Sequence, residues 1–354
     1  MRAWHTAETT TPPGTTFQYN NANYVILGLL IETLSGQSYE SYLQEHIFAP
    51  LEMHDATVGP GESTAQDRAV GYRYWFGVPR AADLKYGRVI SPAGGVIASA
   101  EEMTHYLVAQ LNGGRYRDAP LLSSDGIAEM HQPMTPIPAD HTQSTGFDEA
   151  AYGLGWYAGM RDGVPVVAHP GDLPTYHADI QLLPEDQVGI VLLMNANNRL
   201  TSERMRAMVD GVTSLLLGRQ PAPVETGTSV LMRVFQIVVG LALVQLVVIA
   251  WSLRTIRRWA REPMRRPQGV VAVLWHVLVP LGFHLLLALI FLVGLPLLLN
   301  LPLALLVEST PDLGTVALVS GVIALGWAIV RTILVIQLLR TRGRAPNVRS
   351  VVPA

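Results

Sequence analysis

The last 126 residues of this 354-residue chain hold three apolar runs, at 229–253, 269–299 and 314–339. Each reaches the roughly 20 residues that a helix needs to cross a bilayer core about 30 Å thick. Soluble helices keep a polar face, so three such runs in succession disfavour a buried soluble bundle. The sequence therefore predicts a three-span membrane region at 229–339, followed by a basic tail at 340–354. Pro280 and Pro296 fall in the second run, where a spanning helix tolerates them if neighbours satisfy the freed carbonyls.

Charge sets the expected orientation. Residues 1–228 carry 13 basic and 25 acidic residues, a balance of −12, whereas 229–354 carry 12 and 3, a balance of +9. Arg254, Arg257, Arg258, Arg261, Arg265 and Arg266 lie between runs one and two, and Arg340, Arg342, Arg344 and Arg349 follow run three. The link between runs two and three has Glu308 and Asp312 and no basic residue. The positive-inside rule then places the Arg-rich loop and the C-terminus in the cytoplasm of a multi-pass plasma-membrane protein, with residues 1–228 outside. Splitting run two into a pair of short spans reaching Val307 would put the basic tail on the wrong side. Anionic lipid is the expected partner of the basic stretch beside the membrane, rather than nucleic acid.

Within the runs, Arg331 is expected to snorkel toward the cytoplasmic end. His276 and His284 suit inter-helix hydrogen bonds better than a proton path. No Asp or Glu occurs inside any run, which argues against transport by the spans themselves.

The outer part reads as a mixed α+β domain over 1–217, joined to the spans by a linker at 218–228. Pro12-Pro13-Gly14 marks a turn. Asn23 is placed as the cap of a helix whose run 24–34 is too short to span and so should be buried, closed by Gly36. A second helix is expected at 39–47, ending at Pro50. Ser99-Ala-Glu-Glu102 forms a capping box for a helix at 101–111 that stops at Gly113-Gly114. Residues 163–168, 178–183 and 188–194 read as strands, and 202–217 as a last helix. Helices followed by hairpin-linked strands favour α+β over a parallel α/β sheet.

The chain has no cysteine, which excludes Zn–Cys sites, Fe–S clusters and cysteine catalysis. H-E-x-x-H, Walker A, G-x-G-x-x-G and G-x-S-x-G are also missing, so no metal or cofactor is expected. Two constellations remain. Tyr19-Asn20-Asn21 stands just before a helix and can present a phenol and a carboxamide together. The phenol can relay a proton if nearby cations lower its pKa. His169-Pro170-Gly171 follows the strand at 163–168, where glycine admits a substrate close to the backbone and the next N–H can face an oxyanion.

In this order the motifs resemble the serine β-lactamase-related and penicillin-binding-protein-like hydrolases. The similarity covers about residues 10–217 and runs through Tyr24-Val-Ile-Leu-Gly28, Ser91-Pro-Ala-Gly94-Gly95, Tyr152-Gly-Leu-Gly155-Trp156 and His169-Pro-Gly171. The last stands where many members carry His-x-Gly in place of Lys-Thr-Gly. The resemblance implies a β-lactamase/transpeptidase-like fold with an antiparallel sheet. It implies that Tyr19 assists proton transfer, that Asn21 binds the substrate amide and that His169 occupies the cationic corner. Gly171 would line the binding strand, and Asp172 would supply a backbone N–H to the oxyanion hole. The implied substrates are peptidoglycan-like D-amino-acid amides, β-lactams or small esters, opened through an acyl-enzyme.

One departure is decisive for activity. The family's nucleophile is the Ser of Ser-x-x-Lys. The one lysine here is Lys85, with Ala82 three residues before it, so the chain has no Ser-x-x-Lys. Only 18 residues precede Tyr19, and the first residues lack the apolar core of an export signal. These features lead us to expect an N-terminally truncated chain, catalytically dead by itself, with an exposed sheet edge and part of the core uncovered. The rival expectation is a non-catalytic membrane sensor or scaffold that binds cell-wall fragments.

Overall fold

The computed structural model describes residues 8–12, 14–59, 68–83, 87–138, 146–197, 202–221, 223 and 230–340. Pro13, Lys85, Ser229 and the arginines at 342, 344 and 349 lie outside them. Packing divides the chain into two units, Met1–Glu225 and Thr226–Ala354.

In the first unit a six-stranded antiparallel sheet provides the frame. Its spatial order is Val188–Met194, Tyr176–Leu183, Val164–Leu173, Tyr157–Arg161, Glu149–Tyr152 and Thr135–Pro136. Asp162 and Gly163, at φ 49° and 74°, make the two-residue turn from Arg161 to Val164. Two left-handed residues in succession match the twist of the flanking strands. Val166 and Ala168 pack with Tyr157, Leu183 and Ile190, whereas Val167 packs with Ala158, Leu182 and Leu107. This alternation of period two buries both faces of the sheet. Leu107 comes from the helix Ala100–Leu111, which begins on the expected capping box of Ser99 and Glu102. The helix Ser202–Leu216 is tied to the sheet through Asp210, which accepts from Arg161 at 2.8 Å.

The central strand is longer than the sequence predicts. It runs from Val164 to Leu173, so His169-Pro170-Gly171 lies within the strand rather than after it. Proline fits because of the pairing. A two-residue turn closes on a hydrogen-bonded pair, and such pairs alternate. Residues 164, 166 and 168 therefore turn N–H and C=O toward Tyr157–Arg161, which ends opposite Ala168. Pro170 points the same way beyond that end, where the ladder needs no donor.

The first helix also differs from expectation. It spans Asn21–Ser35 and is capped by Asn20, whose Oδ1 accepts the Ala22 N–H at 2.9 Å; Asn23 lies in its first turn. Gly36 closes it at φ 73°. The expected burial is not found: Gly28 is its one buried residue, while Ile26, Leu27 and Leu34 are 50%, 52% and 78% exposed. Packing is concentrated at Gly28, where a Cβ would lie 2.2 Å from Pro92 Cγ. The following helix, Tyr39–Leu43, passes into a π turn at Gln44–Phe48.

In the second unit three helices, Val230–Arg261, Val270–Leu298 and Pro311–Arg340, are long and apolar enough to cross a membrane. The first runs on past Leu253 through the arginines to Arg261. A π turn at Ile290–Gly294 widens the second helix just before Pro296, where a proline ring would meet the preceding turn. Phe291, Leu306, Leu313, Ala317 and Ala324 form the centre of the core.

Arg331 does not snorkel. It is 6% exposed, and it donates Nε to Ser252 Oγ at 2.7 Å and Nη1 to the His276 carbonyl at 2.8 Å. Inward bonds to two other helices replace the path to the interface. The ring of His276 donates Nδ1 to Ala272 O of its own helix at 2.7 Å, and His284 is fully buried with no ring partner among the described residues. The expected inter-helix bonds are thus made by Arg331, and by Gln245 donating to Ser320 O at 3.0 Å, rather than by the imidazoles.

Candidate active site

The extended segment before the first helix carries Phe17 and Tyr19 across the end of the central strand. Phe17 lies 5.4 Å from Tyr152 between ring centroids, and Tyr19 lies 5.8 Å from His169, 6.1 Å from Tyr152 and 6.2 Å from Tyr24. Tyr157 completes the cluster, 5.2 Å from the His169 ring. Tyr19 is 44% exposed, and Asn21 stands exposed as the first residue of the helix.

A hydrogen-bonded chain runs through the cluster. Tyr24 and Tyr152 share a short hydroxyl–hydroxyl bond, and the Tyr152 hydroxyl lies 3.0 Å from His169 Nε2. His169 Nδ1 lies 2.7 Å from the Pro170 carbonyl oxygen. Burial lowers the pKa of His169, partly opposed by that carbonyl bond. Burial raises Tyr19, with Tyr24 adding to it, and raises Tyr152 strongly, with the Tyr24 bond next in effect. No cationic side chain of the described residues contributes to any of the three. Tyr19 is therefore pushed opposite to the direction that proton relay through a lowered phenol requires, and burial works against a charged His169.

Gly171 and Asp172 continue the strand on its exposed stretch. A Cβ on Gly171 would meet Ala178 Cβ at 3.6 Å, an ordinary contact, so packing does not demand glycine there. The Asp172 carboxylate accepts from His177 Nδ1 and from Asn197 Nδ2, each at 2.8 Å. Its backbone, in register with residues 164–168, turns toward the side on which Tyr157–Arg161 has ended.

The sequence singled out Tyr19 and His169, and the structure brings them together. The sequence assigns no role to Tyr24 or Tyr152, which belong only to the motifs that carry the resemblance, yet both bond into the same chain. Their signal was the aromatic spacing around Tyr19 and the Tyr152-Gly-Leu-Gly155-Trp156 turn.

Residues 1–213 match the β-lactamase family model. The chain belongs to the β-lactamase family. Within this family it is similar to protein Flp of Staphylococcus aureus strain MW2, 24% identical over 274 residues, covering 75% of this chain and 51% of Flp. It is also similar to the unguisins hydrolase UngD′ of Aspergillus campestris, 28% identical over 195 residues, covering 54% of this chain and 35% of that protein. The chain thus spans about half the length, or less, of these relatives. Among solved structures it resembles the octameric penicillin-binding protein homologue from Pyrococcus abyssi, with a TM-score of 0.51 and 26% identity. That likeness covers 61% of this chain and 46% of the homologue. The β-lactamase-family chain therefore joins a β-lactamase/transpeptidase-like α+β domain to three helices able to cross a membrane.

Proposed function

We propose that this chain is the membrane-anchored, substrate-binding part of an extracytoplasmic serine hydrolase of the β-lactamase family. The observation that carries the reading is the convergence of Tyr19, Tyr152 and His169 beside the exposed stretch of the central strand. An extended acyl substrate can lie along such an edge by main-chain hydrogen bonds, the mode of β-strand addition. Gly171 leaves room for it, Asn21 binds its amide, and the Asp172 N–H serves the oxyanion. Peptidoglycan-like D-amino-acid amides, β-lactams and small esters are the substrate classes that suit this arrangement. The arginines flanking the helices support an orientation with the domain outside the membrane and the C-terminus in the cytoplasm.

The chain by itself does not turn these substrates over, because its sequence contains no Ser-x-x-Lys. Incubation of the purified full chain with a fluorescent penicillin and with a fluorophosphonate tests this. No covalent label is the expected result, and labelling by either probe overturns it. The same missing motif favours a second reading, a non-catalytic sensor or scaffold for cell-wall fragments. The coding DNA upstream of Met1 separates the two: an in-frame Ser-x-x-Lys supports the hydrolase, and a stop codon supports the sensor.

A further inference from the structure

The protons along the Tyr24–Tyr152–His169 chain have only one consistent arrangement when His169 is uncharged. A carbonyl oxygen only accepts, so the 2.7 Å contact with Pro170 O requires the hydrogen on Nδ1. With Nδ1 protonated, Nε2 of the neutral ring is an acceptor, and the Tyr152 O–H donates to it at 3.0 Å. Tyr152 has then spent its only hydrogen, so Tyr24 donates to Tyr152. The other neutral tautomer would set two acceptors, Nδ1 and Pro170 O, against each other. Burial disfavours the imidazolium, which is the remaining state that satisfies the Pro170 contact.

We propose that Tyr152 is a positioning residue that holds His169 as its uncharged Nδ1–H tautomer, so that the site takes ligands presenting an uncharged ester or amide at this corner rather than a carboxylate. The inference rests on the binding role proposed above and narrows its ligand classes to uncharged amides and esters, setting aside β-lactams of the penicillin type, which carry a carboxylate. A carboxylate brought here meets no cationic side chain of the described residues to offset its desolvation, whereas an amide or ester loses far less than an ion on leaving water. Tyr152 also occupies Nε2, so His169 has no idle donor for an anion.

Two measurements on the full chain in detergent test the inference. The first is binding of N-acetyl-D-alanyl-D-alanine against its C-terminal amide near pH 7.5. We expect the amide to bind about tenfold or more tighter, roughly the effect of 1.4 kcal/mol. Equal or tighter binding of the free acid overturns the inference while leaving the binding role intact. Failure of both compounds to bind overturns the binding role itself. The second measurement needs no ligand: ¹⁵N spectra of histidine-labelled protein near pH 7, assigned with His169→Gln. They should show a protonated Nδ1 and an unprotonated Nε2 at His169. Tyr152→Phe should move the Nε2 resonance, and Tyr24→Phe, which keeps the Tyr152–His169 bond, should move it much less. Two protonated nitrogens in the wild type, or an unchanged Nε2 signal in Tyr152→Phe, overturn the proposal whatever the binding result.

Discussion

Arg331 donates Nη1 to the carbonyl of His276, the carbonyl that Pro280 four residues later leaves without its helical N–H. A proline inside a membrane helix and an arginine inside the next are each costly alone. Together each answers the other's unmet hydrogen bond, and Ser252 supplies a second acceptor to the guanidinium.

This pairing predicts coupling. Arg331→Leu should destabilise the three-helix unit by about 1–3 kcal/mol, from two lost hydrogen bonds in a low-dielectric setting. In a Pro280→Ala background the new N–H can satisfy the His276 carbonyl, so the same substitution should cost at least about 0.5 kcal/mol less. Unfolding of the four proteins of the cycle in mixed micelles measures the difference. Equal costs in both backgrounds would show that the carbonyl is not the link.

Glycines at two positions should respond in opposite ways. Gly28→Ala puts a Cβ 2.2 Å from Pro92 Cγ, so we expect a loss of about 1–3 kcal/mol from overpacking. Gly171→Ala meets only Ala178 at 3.6 Å, and stability should stay within about 0.5 kcal/mol. Ligand binding along the strand should nevertheless weaken in Gly171→Ala. Thermal melts with parallel binding curves check both halves, and a destabilised Gly171→Ala with unchanged affinity would contradict the assignment of Gly171 to the site.

Legibility in the sequence followed the range of the interactions. The Ser99–Glu102 box acts over three residues and the apolar runs over one helix each, so both could be read directly. The Tyr24–Tyr152 bond joins residues 128 apart, and no local pattern announces it. The sequence predicts that the central strand ends at Ala168, before His169-Pro170-Gly171, whereas Pro170 lies inside it. The proline is tolerated because the neighbouring strand stops at Tyr157 opposite Ala168, a fact of pairing rather than of residue type. The run at 24–34 shows the same limit: its apolar residues guarantee a helix, but burial depends on what packs against it. Arg331 turns inward instead of snorkelling because Pro280, on another helix, leaves the His276 carbonyl free to accept from it.

Glu102 does more than cap its helix. Its Oε2 accepts the Ser99 N–H at 3.2 Å and its Oε1 accepts the Asp55 N–H at 2.7 Å. Glu102→Ala leaves both donors without a partner and should cost about 2–3 kcal/mol. Glu102→Gln retains one acceptor and should fall between. Urea unfolding measures the series, and an alanine variant within about 0.5 kcal/mol of wild type would mean that water replaces the carboxylate.

Asp179 gives the outer unit a pH dependence of defined sign. Burial pushes its carboxyl from the ordinary 3.8 up to about 6, against opposing effects of Arg161, Gln181 and His177. The native state therefore binds the proton more tightly than the unfolded chain does. Between about pH 4 and 6 this group makes stability fall as pH rises, and above 6 the ionised form remains a cost of up to about 3 kcal/mol. Asp179→Asn removes that cost. The variant should be the more stable protein at pH 7.5, and the two should converge near pH 4. Urea unfolding of the full chain in detergent at a series of pH values follows this, by the fluorescence of Trp156, buried in the turn just before the strand Tyr157–Arg161. Parallel stability curves for the two proteins across pH 4–7 would show that Asp179 ionises in the native state as readily as in the unfolded chain.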